Sequence, residues 1–302
     1  MPSECGRIRS GSGAAQVCPP GSARNGPEDD RLRPEGLTPG KRPLGDGLVR
    51  GKDDIEQLVV RLHRDQLELR PSDFLQMHLT NRTIIKRHVD AFRRYAPYLR
   101  GGNILDWGCR HAIDACLIKN HFGAEARLFG CDVMDEGYEV FFQFADLEFS
   151  MLDHPNELPY GDDTFDAVVG SGVLEHVPND VESVREIRRV LKPGGNLIIT
   201  FLPNRYSYVE CLSKVLGRPH HDRLYSMGSV RQLLSQSGLA PVYSAYHQVM
   251  PTLAGGASAK IGRIRVINRL VQFLYRFNGF FEELWPTRWA ATNIMVVAQK
   301  AP

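Results

Sequence analysis

Between residues 103 and 201 short apolar runs alternate with stretches of helical spacing, and most of the runs end at a carboxylate or a glycine. Strands are expected at 103–106, 127–132, 148–153, 165–170 and 196–201, and helices near 112–120, 137–145 and 181–190. A strand followed by a covering helix, several times over, can bury both faces only as a parallel sheet with helices on either side. Such sheets bind ligands outside the carboxyl ends of their strands, where the strand order reverses. The residues at those ends are Asp106-Trp107-Gly108-Cys109, Cys131-Asp132-Val133, Leu152-Asp153-His154 and Gly170-Ser171-Gly172. Three of the four ends carry a carboxylate. Asp132, 26 residues after Asp106, suits a ribose diol, which offers two hydroxyl donors. Asp106 at the head of the first loop repels a pyrophosphate and favours a ligand that brings an ammonium group.

The rest of the chain is arranged around this core. Residues 1–51 are expected to be a disordered leader: sixteen of the first fifty are Gly or Pro and none is aromatic, so little apolar surface is available to offset ordering. The domain is expected over 52–302, with a core at 102–251 and 287–300. Two N-terminal helices are expected first, the second capped by Ser72. A polar, aromatic connector follows the fifth strand, then a helix at 229–237 and a strand at 241–249. A helical insertion spans 258–284, and "ATNIMVVAQK" closes the chain as a last strand.

The quoted motifs resemble the class I S-adenosylmethionine-dependent methyltransferases, most closely the small-molecule and lipid branch that includes ubiquinone-pathway enzymes. "ILDWGC" resembles the first motif, "GCDV" the ribose-binding acid, "LDHPNELPYGDDTFDAVVGSGVLEHVPN" the adenine-side motif with the fourth strand, and "EIRRVLKPGGNLIITF" the fifth strand with the helix before it. The resemblance covers about a hundred residues. It implies a Rossmann-like α/β fold, a seven-stranded mostly parallel sheet flanked by helices, with S-adenosyl-L-methionine as cofactor. It also implies that Asp106, Gly108 and Cys109 line the methionine end with Ser171 near it, that Asp132 holds the ribose, that Val133 covers the adenine, and that Asp153 and His154 sit at the adenine edge, with Asp146 competing for the role of Asp153. Where the family has glycines this chain has Arg110 and Ala112. Left-handed backbone there costs a non-glycine residue about 1–2 kcal/mol. Arg110 is harmless if helical and outward, and a guanidinium also suits the cofactor carboxylate.

The sulfonium is already activated, so alignment and exclusion of water supply most of the catalysis, and a base is needed only for a weakly acidic acceptor. His221 and His220, in the connector expected to arch over the methyl group, are the candidate bases, and Tyr206, Arg223 and Tyr225 the candidate acceptor contacts. No metal-ligand set is legible, the "HHD" at 220–222 lacking a further ligand cluster. Cys109 and Cys116 read as small buried residues. Six scattered cysteines without a CxxC pair indicate a reducing, cytoplasmic setting. A net charge of +2 and no basic stripe argue against nucleic acid. The basic, aromatic insertion at 258–284 reads as a lid on the acceptor pocket or, second, as a peripheral membrane contact. The expected activity is methylation of an oxygen, nitrogen or carbon on a small molecule such as a lipid, quinone, glycan or secondary metabolite. The alternative is a non-catalytic partner subunit with weakened cofactor binding. An oxidoreductase would want the missing glycines and a Tyr-x-x-x-Lys pair.

Overall fold

The computed structural model describes residues 52–215, 221, 223–252, 265–285 and 287–302. The expected leader, His220, and residues 258–264 of the insertion lie outside the described residues.

Seven strands build one sheet in the order β3-β2-β1-β4-β5-β7-β6. They are β1 (Gly102–Trp107), β2 (Ala126–Asp132), β3 (Leu147–Met151), β4 (Phe165–Ser171), β5 (Leu191–Pro203), β6 (Leu239–His247) and β7 (Asn293–Lys300). All neighbours pair in parallel except β7, which runs antiparallel between β5 and β6. The chain winds outward from β1 to β3, then returns to β4 on the other side of β1. That reversal leaves a crevice at the carboxyl ends of β1 and β4, the usual ligand position in an open α/β sheet. Register brings Trp107 level with both Cys131 and Gly170, so three strand ends share one rim.

The strand boundaries differ from expectation most at β3 and β5, and β6 lies two residues earlier than the expected 241–249. β3 stops at Met151, two residues early, which leaves Asp153 and His154 in an exposed bend. β5 starts at Leu191, because the Pro-Gly-Gly turn does not end the pairing. Phe165 pairs with Leu191 and Ala167 with Asn196, so residues 192–195 bulge out between two paired stretches.

Helices α1 (Lys52–Leu69), α2 (Asp73–Thr80) and α3 (Thr83–Tyr95) precede the sheet. Ser72 caps α2 by accepting the Leu75 N–H. Leu58, Leu62, Leu75, Val89 and Phe92 from these helices form one core with α4 (Ile113–Phe122) and α5 (Glu139–Ala145) on one face of the sheet. α6 (Asp180–Val190) and α8 (Met227–Gln236) cover the other face through Val184, Ile187, Val230 and Leu234. Asn179 caps α6, and a Ser226–Ser229 capping box starts α8. Between β5 and α8 the connector forms α7 (Tyr208–Val215).

The described part of the insertion, α9 (Arg265–Tyr275) and α10 (Asn278–Glu283), contributes no residue to the wall of the central cavity. Its buried polar side chains are spent holding the N-terminal helices from outside. Asn268 donates to the Thr80 carbonyl at the end of α2 at 2.7 Å. Buried Glu282 pairs with Arg94 of α3, and the His247 Nδ1 lies 3.1 Å from it. No helix among the described residues is long and apolar enough to cross a membrane.

Candidate functional site

A cavity of about 540 Å³ opens at the rim of β1 and β4. Its floor is the β1–α4 loop, its far wall the ends of β2 and β4, and its roof α2 and α3 through Phe74, Met77, His78, Ile84, Arg87 and His88. The loop is tight. Gly108 and Cys109 both donate to the Cys131 carbonyl, at 2.8 and 3.1 Å, and Ala112 donates to Cys109 at 2.6 Å. Gly108 has φ +67°, and a Cβ there would lie 2.5 Å from Val173, so no other residue fits. Arg110 and Ala112 are left-handed as well, with φ of 43° and 52°. Both therefore carry the strain that a glycine would avoid. The Arg110 side chain lies across the mouth of the cavity, exposed on one side: its guanidinium stacks 3.8 Å from the centre of the Phe74 ring and its Nε donates to Glu136 at 3.1 Å. The strained loop residue thus ties the floor to the roof. Arg110→Gly and Arg110→Ala lose the same contacts but differ in backbone freedom. The glycine variant is expected to be the more stable of the two by about 1 kcal/mol, read by chemical denaturation.

The carboxylates at the strand ends have opposite environments. Asp132 is half-buried and already organises donors: one oxygen accepts Arg110 N–H at 2.9 Å, the other Val133 N–H at 2.7 Å. Asp106 is buried and accepts only the Ala115 N–H, at 3.1 Å. Burial, and Asp114 beside it, push its carboxyl well above the usual carboxylate range. Asp114 is buried too, and burial alone would raise it. The His88 imidazole 3.8 Å away and the Tyr95 hydroxyl at 2.6 Å outweigh that and hold it down. Asp106 is thus the carboxyl of the pair whose charged form burial and its neighbour disfavour, and a cation beside it would offset that.

The other half of the cavity is lined by Arg87, Glu175, His176, His221 and Phe201. The Arg87 guanidinium lies 4.8 Å from the Phe201 ring centre, and its Nε is buried without a hydrogen-bond partner. Burial pushes Glu175 up to about 7, against the pull of His221, Arg87 and Arg223, and its Oε2 has no partner. His221 hydrogen-bonds through Nδ1 to the buried Glu210 of α7 at 2.8 Å. With Nδ1–H donating to a carboxylate, Nε2 is the basic atom.

The sequence from 105 to 199 matches the family described as "Methyltransferase domain". Over 182 residues the chain is 30% identical to the demethylmenaquinone methyltransferase of Listeria welshimeri, an alignment that takes in 53% of this chain and 77% of that protein. The chain belongs to the class I S-adenosylmethionine-dependent methyltransferases. Its cofactor is S-adenosylmethionine. The demethylmenaquinone methyltransferase of Listeria monocytogenes is 37% identical over 112 residues, 35% of this chain and 47% of that protein, so the chain spans about half the length of this second relative. The solved structure of phosphoethanolamine N-methyltransferase 2 from Haemonchus contortus, in complex with S-adenosyl-L-methionine, shares the fold at a TM-score of 0.51 and 15% identity, over 80% of this chain and 60% of that one.

The methyltransferase cavity brings together Asp106, Gly108, Cys109, Asp132, Val133, Ser171 and His221 from the expected set. It does not include Asp153 or His154: Leu152 and Pro155 face it instead, because Leu152 N–H bonds the Asp132 carbonyl and the two polar residues turn to solvent. The three expected acceptor contacts are corrected. Arg223 spends its donors on the carbonyls of Leu174, Val177 and Pro178, pinning the connector to the loop after β4. Tyr225 is buried and donates to Leu174 and Asp180. Tyr206 is 55% exposed and off the cavity wall. Sequence reasoning missed Glu175, Glu210 and Arg87. For Glu175 a signal was available, since it sits in the quoted "LEHVP" directly after the fourth strand. Nothing local marks Arg87 or Glu210, two charged residues among many on helices.

Proposed function

We propose that this methyltransferase moves the methyl group of S-adenosylmethionine to a hydroxyl or similar group on a small, largely apolar acceptor. The carrying observation is a single cavity with two unlike halves: strand-end carboxylates on one side, a carboxylate-oriented histidine and apolar walls on the other. In this reading the methionine end of the cofactor lies against Asp106, Gly108, Cys109 and Ser171. Its ammonium supplies the countercharge that lets Asp106 ionise. Asp132 accepts the two ribose hydroxyls, and Val133, Leu152 and Pro155 flank the adenine. The acceptor lies beneath Phe74, Met77 and Ile84. The sulfur–methyl bond breaks as the acceptor–methyl bond forms, leaving S-adenosylhomocysteine, and the acceptor proton passes to His221 Nε2. The curated relatives are by name quinone-precursor methyltransferases, which supports an aromatic or lipid-like acceptor. The test is calorimetric titration with S-adenosylmethionine and S-adenosylhomocysteine, followed by transfer of labelled methyl to quinol, phenol and lipid extracts. Micromolar binding and a labelled product support the reading. A folded protein that binds neither ligand overturns it and leaves the non-catalytic partner subunit.

We also infer that the outer face of α9 and α10 rests on an anionic lipid surface. Phe273 on α9, Phe280 on α10, and Phe277 and Trp285 beside the helix ends are exposed, Phe280 by 64% and Trp285 by 68%. Arg269, Arg276 and Arg288 of the same segment are exposed, against the single exposed acid Glu283 among its described residues, a balance that suits acidic headgroups. Phe273→Asp with Phe280→Asp should lower co-sedimentation with phosphatidylserine vesicles by at least about tenfold, given the loss of two buried rings. A wild-type protein that stays in the supernatant sinks the idea.

A further inference from the structure

We propose that His63, His78 and His111 form a three-histidine site for a divalent transition metal, zinc in the first instance, with its open position toward the acceptor half of the cavity. The three come from α1, α2 and the β1–α4 loop, and one ring nitrogen of each lies within 4.8 Å of the others. All three are buried. His63 Nε2 and His78 Nδ1 are 3.1 Å apart. Two nitrogens on a tetrahedral zinc, each at about 2.05 Å, are separated by about 3.3 Å, so this pair is close to ligand spacing already. His63 Nδ1 bonds the Val59 carbonyl at 2.8 Å, the outer hydrogen bond that fixes the tautomer of a metal-bound histidine and turns its other nitrogen to the ion. His111 Nε2 is buried with no hydrogen-bond partner.

That orphaned nitrogen separates a ligand site from an ordinary packed histidine cluster. A core cluster satisfies its buried nitrogens, and leaving one bare costs about 1–3 kcal/mol. Phe74 and Phe141 pack against the rings, at 4.3 Å from His78 and 5.1 Å from His63, and dry the site. His78 and His111 line the cavity but His63 does not, so three ligands hold the ion from behind and the fourth position faces the ligand space. Three histidines with one open position are a catalytic rather than a structural arrangement. Arg87 from the roof and Arg110 from the floor both line the cavity, so the position would favour an anionic or readily deprotonated atom, such as a phenolate or thiolate. That last role rests on the acceptor reading above. The metal site itself does not.

The test uses the full chain, stripped with chelator, titrated with Zn²⁺ by calorimetry and with Co²⁺ by visible absorption. One equivalent per chain is expected, with the intense visible bands of four-coordinate cobalt. His63→Gln, which lies off the cavity wall, and His111→Ala should each weaken binding at least about tenfold, as loss of a metal-site group does. His63→Gln should keep its affinity for S-adenosylmethionine. The spectrum of the wild type stands as evidence by itself if a variant does not fold. Absence of stoichiometric metal in the wild type, or equal binding in folded variants, overturns the proposal. A wild type that binds S-adenosylmethionine but no metal refutes this site alone, whereas a wild type that binds neither refutes the cavity assignment.

Discussion

His221→Ala should lower the methyl-transfer rate by about 10²–10⁴-fold, the usual worth of a positioned general base, with cofactor affinity unchanged. Nδ1 of His221 is held by the buried Glu210 carboxylate at 2.8 Å, and in the proposed reading Nε2 is the atom that takes the acceptor proton. Glu210→Gln keeps the shape but not the charge, so it should cost less than removing the base. Glu175 stands on the same wall, and its buried carboxyl titrates near 7. The groups facing it are His221, Arg87, Arg223 and, 3.9 Å away, His176. As its carboxylate forms, it stabilises a protonated His221, so the rate should rise through pH about 7 and flatten above. Glu175→Gln should remove that inflection. Stability moves the other way. A carboxyl raised from 4.5 to about 7 by folding contributes fully below the unfolded value, and that contribution is lost as pH rises through the folded one. At pH 8 Glu175→Gln should therefore be more stable than wild type, by on the order of 3 kcal/mol, and at pH 4 the advantage should vanish. A pH–rate profile and denaturation at the two pH values check this. A His221→Ala enzyme with undiminished turnover would remove the histidine from the mechanism.

Asp132→Ala should weaken S-adenosylmethionine binding at least about 100-fold, since two hydrogen bonds to a charged acceptor are lost at about 1.5–3 kcal/mol each. Asp132→Asn keeps one acceptor oxygen and should lose about tenfold. The side chain also receives the Arg110 and Val133 N–H groups, so the alanine variant is expected to melt lower as well. Calorimetry on a protein shown folded by its melting curve separates the two effects. Wild-type affinity in Asp132→Ala would move the ribose elsewhere.

The strand ends were legible because their signals are local. A run such as Ile104-Leu105-Asp106 declares a strand and its end within a few residues, and the register of β1 against β2 and β4 then aligns those ends without further information. The same holds for Ser72, whose capping bond reaches only three residues. Asp153 was misplaced because two residues of strand end decide which side chains face the crevice, and the periodic pattern does not resolve two residues. Arg223 and Tyr225 have the chemistry of ligand contacts, yet the tertiary fold spends it on the loop after β4.

The sequence by itself determined the α/β class, the order of the motifs and the carboxylates at the rim, since each depends on hydrogen bonding and apolar period within one segment. Only the tertiary structure decided that α9 and α10 brace the roof from outside, that Glu210 orients His221, and that His63, His78 and His111 meet. Those contacts join positions 11 to 188 residues apart. They form because burying the apolar faces of α1–α3 on the sheet carries their polar side chains along, and no local pattern records where a side chain arrives.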